Sequence, residues 1–309
     1  GYASDFSEEQ RLTAAFMHRM TWLNSLGAEW RNDVTVGYVN WLHSEFNQPF
    51  TRRVGLFAAP WVDLKQSPIS YYIGDDWVGE YKVNTVRGGL DLGLQGRLGE
   101  LRLGFFQGQL KTDAKFGILS VGATRLVPEY DLRQGGWMGR LVLDQLDNVA
   151  FPREGFLLDG SFFLTDPAWG ADDDYSKAEM KFLKPFNIDR HTATVGLFWG
   201  ASPEARIPIY DLYKLGGFQR FSGYGLDQLV GSAYTMGRLV YTYRFTDLPQ
   251  ALGRGVYLGG SLEAGEVKNR FDPTTAGGTL FAGSLFFAAD TILGPFYAAY
   301  GHAKDGTAS

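Results

Sequence analysis

The chain has 309 residues, among them 40 glycines and no cysteine, with 45% hydrophobic and 15% aromatic residues and a formal net charge of -5 at pH 7. That is neither the charge-rich, aromatic-poor make-up of a disordered chain nor a basic one suited to nucleic acid, and it removes disulfides, zinc-thiolate sites and cysteine catalysis together. No apolar run approaches the roughly eighteen residues of a membrane helix, so any membrane span has to be a β-barrel.

In chain order, residues 1–6 read as the end of a strand, and residues 10–23 as a strand closed by the turn Asn24-Ser25-Leu26-Gly27. Two short strands follow within 28–46, then a turn at Asn47-Gln48-Pro49 and strands near 52–72, 77–95 and 100–111, the last two joined by a tight turn at 96–99. A long loop is expected over 112–135. Strands near 137–147, 155–165, 175–186 and 190–202 lead to an interruption of about thirty residues, long enough in so strand-rich a chain to suggest function. Strands near 232–245, 255–267, 279–289 and 294–302 complete about fifteen strands.

Period two runs through these segments. Leu90, Leu92 and Leu94 alternate with Asp91, Gly93 and Gln95; Leu101, Leu103 and Phe105 with Glu100, Arg102 and Gly104; Leu239, Tyr241, Tyr243 and Phe245 with Arg238, Thr242, Arg244 and Thr246. A soluble sandwich shows the same alternation with its apolar face inward. Three features favour the inverted, membrane arrangement: segments of about ten residues between turn signals, charged residues and glycines on the polar faces, and aromatics crowding the segment ends. The last are Trp22, Trp30, Trp41, Phe46, Phe50, Trp61, Tyr71, Tyr72 and Trp77. The expected fold is therefore all-β, a transmembrane antiparallel β-barrel. Its polar faces place Arg87, Asp91, Arg102, Arg140, Asp144, Asp159, Arg238 and Arg244 in the lumen, as a substrate-conducting wall or as an ion-pair network filling a narrow interior.

Within the long interruption, Leu215-Gly216-Gly217-Phe218-Gln219-Arg220-Phe221-Ser222-Gly223-Tyr224-Gly225 reads as a loop returning to a wall. Its glycines permit positive φ and close backbone approach, and its aromatics are out of place on a polar surface loop. Catalytic signals are weak. There is no Gly-x-Ser-x-Gly elbow, and His18, His43, His191 and His302 have no metal-ligand spacing. Asp172-Asp173-Asp174 reads as a solvated hairpin loop in preference to a calcium site. No cofactor and no metal are expected.

The segment from Leu215 through Phe221-Ser222-Gly223-Tyr224 resembles the reentrant loop-six signature of the sixteen-stranded outer-membrane assembly and secretion superfamily. Leu262-Glu263-Ala264-Gly265 resembles its wall motif. In the family a tip arginine pairs with an acidic wall residue; here the tip holds Ser222, with Arg220 two residues earlier, and Glu263 stands where aspartate is usual. The turns Asn24-Ser25-Leu26-Gly27, Leu146 to Gly155 and Asp290 to Pro295 are similar to family turns. Ser222 together with Leu293-Gly294-Pro295-Phe296-Tyr297 most resembles the barrel of patatin-like autotransporters.

The resemblance implies sixteen strands with truncated seam strands, a barrel domain over 1–309 incomplete at both ends, and an upstream lipase and periplasmic domain. It implies a bacterial outer-membrane location and a lock formed by Arg220, Phe221, Ser222, Gly223, Tyr224, Glu263 and Gly265, with Arg220 paired to Glu263. The barrel would anchor or translocate the passenger of its own polypeptide, with membrane lipid, the barrel-assembly machinery and a homodimer as further partners. A barrel-assembly insertase, a two-partner-secretion transporter and a passive pore stand as alternatives, and the chain itself is expected to be no enzyme.

Overall fold

A computed structural model describes residues 13–51, 55–73, 76–117, 120–121, 124–125, 129–203, 207–272 and 278–304. The strands are β1 (Thr13–Met20), β2 (Glu29–Gly37), β3 (Asn40–Pro49), β4 (Leu56–Ile73), β5 (Asp76–Gln95), β6 (Glu100–Gly117), β7 (Ser120–Val121), β8 (Thr124–Arg125), β9 (Asp131–Asp144), β10 (Leu157–Thr165), β11 (Tyr175–Ile188), β12 (His191–Ala201), β13 (Tyr213–Leu215), β14 (Leu229–Asp247), β15 (Gly253–Arg270), β16 (Leu280–Thr291) and β17 (Gly294–Ala303). One 15-stranded sheet runs in the order β1-β2-β3-β4-β5-β6-β9-β10-β11-β12-β14-β15-β16-β17, with β13 beside β14; β7 and β8 form a separate hairpin. No ladder joins β1 to β17 among the described residues. Among the described residues, two 3-10 turns, Pro167–Trp169 and Ile209–Asp211, supply the helical content, and no helix is long and apolar enough to cross a membrane.

The connections alternate between two ends of the strands. One end, the short-turn end, carries 21–28, 50–55, 96–99, 145–156, 189–190, 248–252 and 292–293; the other carries the short 38–39 and 74–75 and the longer 118–130, 166–174, 202–228 and 271–279. The two longest connections, 118–130 and 202–228, thus share one end, as the long loops of outer-membrane barrels do.

The chain divides into two compact units. The first comprises Gly1–Leu141, Ser161–Ala178 and Ser202–Asp211. Its period-two pattern is inverted relative to a soluble core: Leu90, Leu92, Leu94, Leu101 and Leu103 are exposed, while Asp91 and Glu45 are buried on the other face with Phe57 and Phe106. The apolar outer band ends at an amide ladder. Asn40 Nδ2 donates to Gln66 Oε1 (3.2 Å), Gln66 Nε2 to Asn84 Oδ1 (2.8 Å) and Asn84 Nδ2 to Asp113 Oδ2 (3.0 Å). The second unit comprises Val142–Gly160, Glu179–Ala201 and Leu212–Ser309. There Leu239, Tyr241, Leu258, Leu262 and Leu285 are exposed, while Met236, Tyr257, Ser261, Glu263 and Phe286 are buried.

Three expectations need correction. Asn47-Gln48-Pro49 is no turn but the end of β3, where Gln48 pairs with Ala58 and Pro49 with Phe57; proline is tolerated at a strand end because little ladder remains to lose its N–H. The loop expected over 112–135 is shorter, since β6 continues to Gly117 and β9 begins at Asp131, with Thr112 N–H donating to Tyr130 O (2.9 Å). Lys111 and Asp113 hide that continuation from a hydrophobic pattern. The aromatic girdle divides as well: Trp22, Trp30, Phe46 and Phe50 are exposed at the end of the short turns, whereas Trp61 is buried and donates from Nε1 to Asp91 Oδ1 (2.8 Å). Trp41 likewise faces inward, stacked on His43 at 5.8 Å. Both tryptophans have the parity of the polar face. The strand end at 1–6 and the side chains of Tyr71, Tyr72 and Trp77 lie outside the described residues.

Candidate functional site

The loop of residues 212–228 lies in the second unit and is built as a small folded object. β13 pairs back onto β14, Tyr213 opposite Gly231 and Leu215 opposite Leu229. Beyond it the chain turns on itself: Gly216 N–H donates to Arg220 O (2.8 Å), Gly217 N–H to Tyr224 O (3.0 Å) and Tyr224 N–H to Phe221 O (3.1 Å). These turns require positive φ at Gly216 (119°), Gly217 (92°), Gln219 (60°), Phe221 (72°) and Gly223 (98°). For Gln219 and Phe221 the left-handed region costs about 1–3 kcal/mol each and persists only where the surroundings over-determine it. Phe221 is fully buried, in a cluster with Leu215, Tyr224, Leu229, Met236, Val267, Leu280, Ala282 and Ala303.

Strand β15 provides the seat. Glu263, 3% exposed, accepts the Ser222 N–H on Oε2 (2.7 Å) and the Ser222 hydroxyl on Oε1 (2.8 Å). Ser261 Oγ donates to the same Oε1 (2.6 Å) and lies 2.7 Å from Ser284 Oγ. A carboxylate removed from water needs such charge-assisted donors, and here an amide and two hydroxyls supply them. Gly265 leaves room for the Phe221 ring, because a Cβ there would lie 3.0 Å from Phe221 Cζ and 2.1 Å from Thr235 O. Gly223 does the same for β17: a Cβ would lie 2.4 Å from the Ala303 nitrogen.

The expected Arg220–Glu263 pair is corrected by this geometry. Arg220 is exposed and its Nη2 donates to Lys214 O (2.8 Å). The cation on the inner face is Arg238, directly opposite Glu263 in the β14–β15 ladder. It lies over the Phe198 ring at 4.9 Å and donates from Nη1 to Gln219 O (2.8 Å), which grips the loop through its backbone. The residue one turn away in sequence is thus displaced by one fixed on the wall.

Several of the remaining inward charges have close partners. In the first unit Arg102 bonds Glu45 and Glu100 and lies 3.6 Å from Asp91, with His43 3.4 Å from Asp63. Arg87 donates from Nε to Gln134 Oε1 (2.8 Å) and lies over Phe163 at 5.1 Å. Arg140 and Asp144 share the strand parity of Gln134 and are exposed; Asp159 shares that of Thr165 on β10. Arg244 bonds Asp247 (2.7 Å) near a short turn.

The preceding stretch of the same loop is anchored separately in the first unit. Asp211 accepts from Tyr175 Oη (2.7 Å) and Lys177 Nζ (2.8 Å), and the Tyr210 hydroxyl bonds Asp173. Burial works to raise the Asp211 carboxyl, but Lys177, with help from Tyr175, outweighs it and holds the group below the usual carboxylate range. The aspartate run is thereby divided, since Asp172 bonds Arg133. Sequence reasoning missed Ser261, Ser284, Arg238 as the loop's cation and the Asp211 anchor. Polar residues at inward parity on β15 and β16 were the available signal for the serines; nothing local marks Asp211.

The Omp85 superfamily domain model matches residues 56–289. The chain belongs to the Omp85 superfamily. Its location is accordingly the bacterial outer membrane. Among solved structures, the Omp85 chain is similar to BamA from Haemophilus ducreyi lacking POTRA domains 1-3, with a TM-score of 0.74 and 13% identity over 96% of this chain and 66% of that one. It is similar to CdiB from Acinetobacter baumannii (TM-score 0.65, 11% identity, 97% and 55% covered) and to CdiB from Escherichia coli (TM-score 0.60, 14% identity, 94% and 55% covered). The chain thus spans about two thirds of the first structure and about half of the other two. A search of curated sequences found no match. At these identities the likeness is one of fold, an Omp85-type barrel.

Proposed function

We propose that the chain is the outer-membrane barrel that anchors or exports a patatin-like lipase domain belonging to the same polypeptide. The observation that carries this reading is the serine at the loop tip, seated on Glu263 by amide and hydroxyl (2.7 and 2.8 Å) where the family's usual arrangement is an arginine. The other feature of the resemblance, the start of β17, adjoins the same loop: the Tyr297 ring centroid lies 5.3 Å from that of Phe218. In this reading the loop rests on the inner wall and the barrel holds the passenger at the membrane, while the chemistry belongs to the passenger.

The reading frame upstream of Gly1 tests it directly. A signal peptide, then Gly-x-Ser-x-Gly and a later Asp-Gly pair, with lipase activity lost on replacing that serine, is the expected result. Several small periplasmic domains and no such elbow would instead make the chain an insertase or two-partner transporter.

A further inference from the structure

The longest connection at the short-turn end, residues 145–156, does more than reverse the chain. Gln145 N–H donates to Phe156 O (2.9 Å) and closes its base. Asp147 Oδ1 accepts the N–H groups of Arg153 (2.8 Å) and Glu154 (3.0 Å), and Asn148 Oδ1 those of Ala150 (2.8 Å) and Phe151 (3.1 Å). Self-capped in this way, the segment holds its shape without the sheet. Arg153 Nη2 ties it to the neighbouring turn through Asn187 Oδ1 (3.0 Å) and Asp189 O (2.7 Å).

Its other contacts are on distant strands. Asn148 Nδ2 donates to Asp290 Oδ2 (2.9 Å) on β16, and the buried Phe151 ring stacks on Tyr257 of β15 at 4.3 Å and 2°, and on Tyr297 of β17 at 5.4 Å. In the sheet, β11, β12, β14 and β15 stand between β10 and β16. A connection from β9 to β10 reaches β16 and β17 only by crossing the inner face as a chord. The reentrant loop reaches that face from the opposite end, where Phe218 lies 5.4 Å from Phe286 and 5.3 Å from Tyr297. The two inserted segments therefore meet one shared ring, Tyr297.

We propose that residues 146–155 form a second plug, which obstructs the inner face of the second unit at the short-turn end with Phe151 as its stopper and Asn148–Asp290 as its latch, and that Tyr297 couples it to the reentrant loop. A cavity of about 610 Å³ lined by Asn148, Val149, Arg254 and Ile292 lies beside the latch and gives the turn room to swing aside. The obstruction follows from the barrel alone, so it stands or falls independently of any passenger.

Conductance across planar bilayers, with the whole chain and with heat-modifiability as the check of folding, tests it. Phe151→Ala is expected to raise conductance, and Leu293→Ser, at a residue 90% exposed in the neighbouring turn, to leave it unchanged. Asn148→Asp, which sets a like charge against Asp290 and spares the ring stack, is expected to open the pore as well. A folded Phe151→Ala barrel with parental conductance overturns the proposal; if that variant does not fold, an unchanged Asn148→Asp barrel does so.

Discussion

Glu263 is held by an amide and two hydroxyls, and this decides which substitutions at the loop matter. Ser222→Ala removes one donor and leaves a buried carboxylate oxygen with a lone Ser261 partner, a loss of about 1–3 kcal/mol. Arg220→Ala removes an exposed side chain bonded to one backbone carbonyl and is expected to stay within about 0.5 kcal/mol. Thermal loss of the heat-modifiable form in detergent should therefore move to lower temperature for the serine variant only. An equal shift for both would restore the arginine as the lock. Charge and proximity in sequence suggested Arg220, yet the positive φ at Gln219 and Phe221 turns that side chain away from the wall and presents Ser222 to it.

The loop is an element with two separate anchorages, and they respond differently to acid. The Asp211 carboxyl titrates below the roughly 3.9 of an ordinary aspartate. A depressed folded value means that its contribution is complete above the unfolded value and is lost as pH falls through the folded one. A spin label on Pro208→Cys, unique because the chain has no cysteine, should stay immobile at neutral pH and gain mobility in acid. In an Asp211→Asn background it should be mobile throughout. Mobility that ignores both acid and the substitution would show that Asp211 anchors nothing. Neither anchor is a local property of the loop sequence: Lys177 and Tyr175 come from β11, Glu263 and Ser261 from β15.

Across the whole molecule, the inverted face is the property that assigns the chain to a membrane. Leu262 and Leu285 are 68% and 74% exposed, while Glu263 beside them is 3% exposed. An arginine on the lipid face near the bilayer midplane costs about 2–4 kcal/mol, so Leu262→Arg is expected to lower the unfolding free energy read from liposome urea titrations by about that amount. In a soluble sandwich with Leu262 on the wet face the same change would be nearly silent, and that result would remove the membrane assignment. The amide ladder from Asn40 to Asp113 marks where the lipid-facing band of β4–β6 ends, with strand continuing past it to Ile73 and Gly117.

Alternation of Leu90, Leu92 and Leu94 with Asp91 is a period-two signal independent of context, and it was enough to indicate an all-β wall with two faces; the aromatics at the segment ends and the charged polar faces favoured lipid on the apolar side, and the family resemblance marked the reentrant loop. Where β3 and β6 end was not legible, because Pro49 and Lys111 break a hydrophobic pattern without breaking a backbone ladder. Only the tertiary structure decided that Ser222 meets Glu263, that Arg238 grips the loop in place of Arg220, that Trp61 turns inward to Asp91, and that Phe151 crosses to Tyr297. Those pairings join segments far apart in the chain. Register and long-range packing set them, and neither leaves a local signature in the order of the residues.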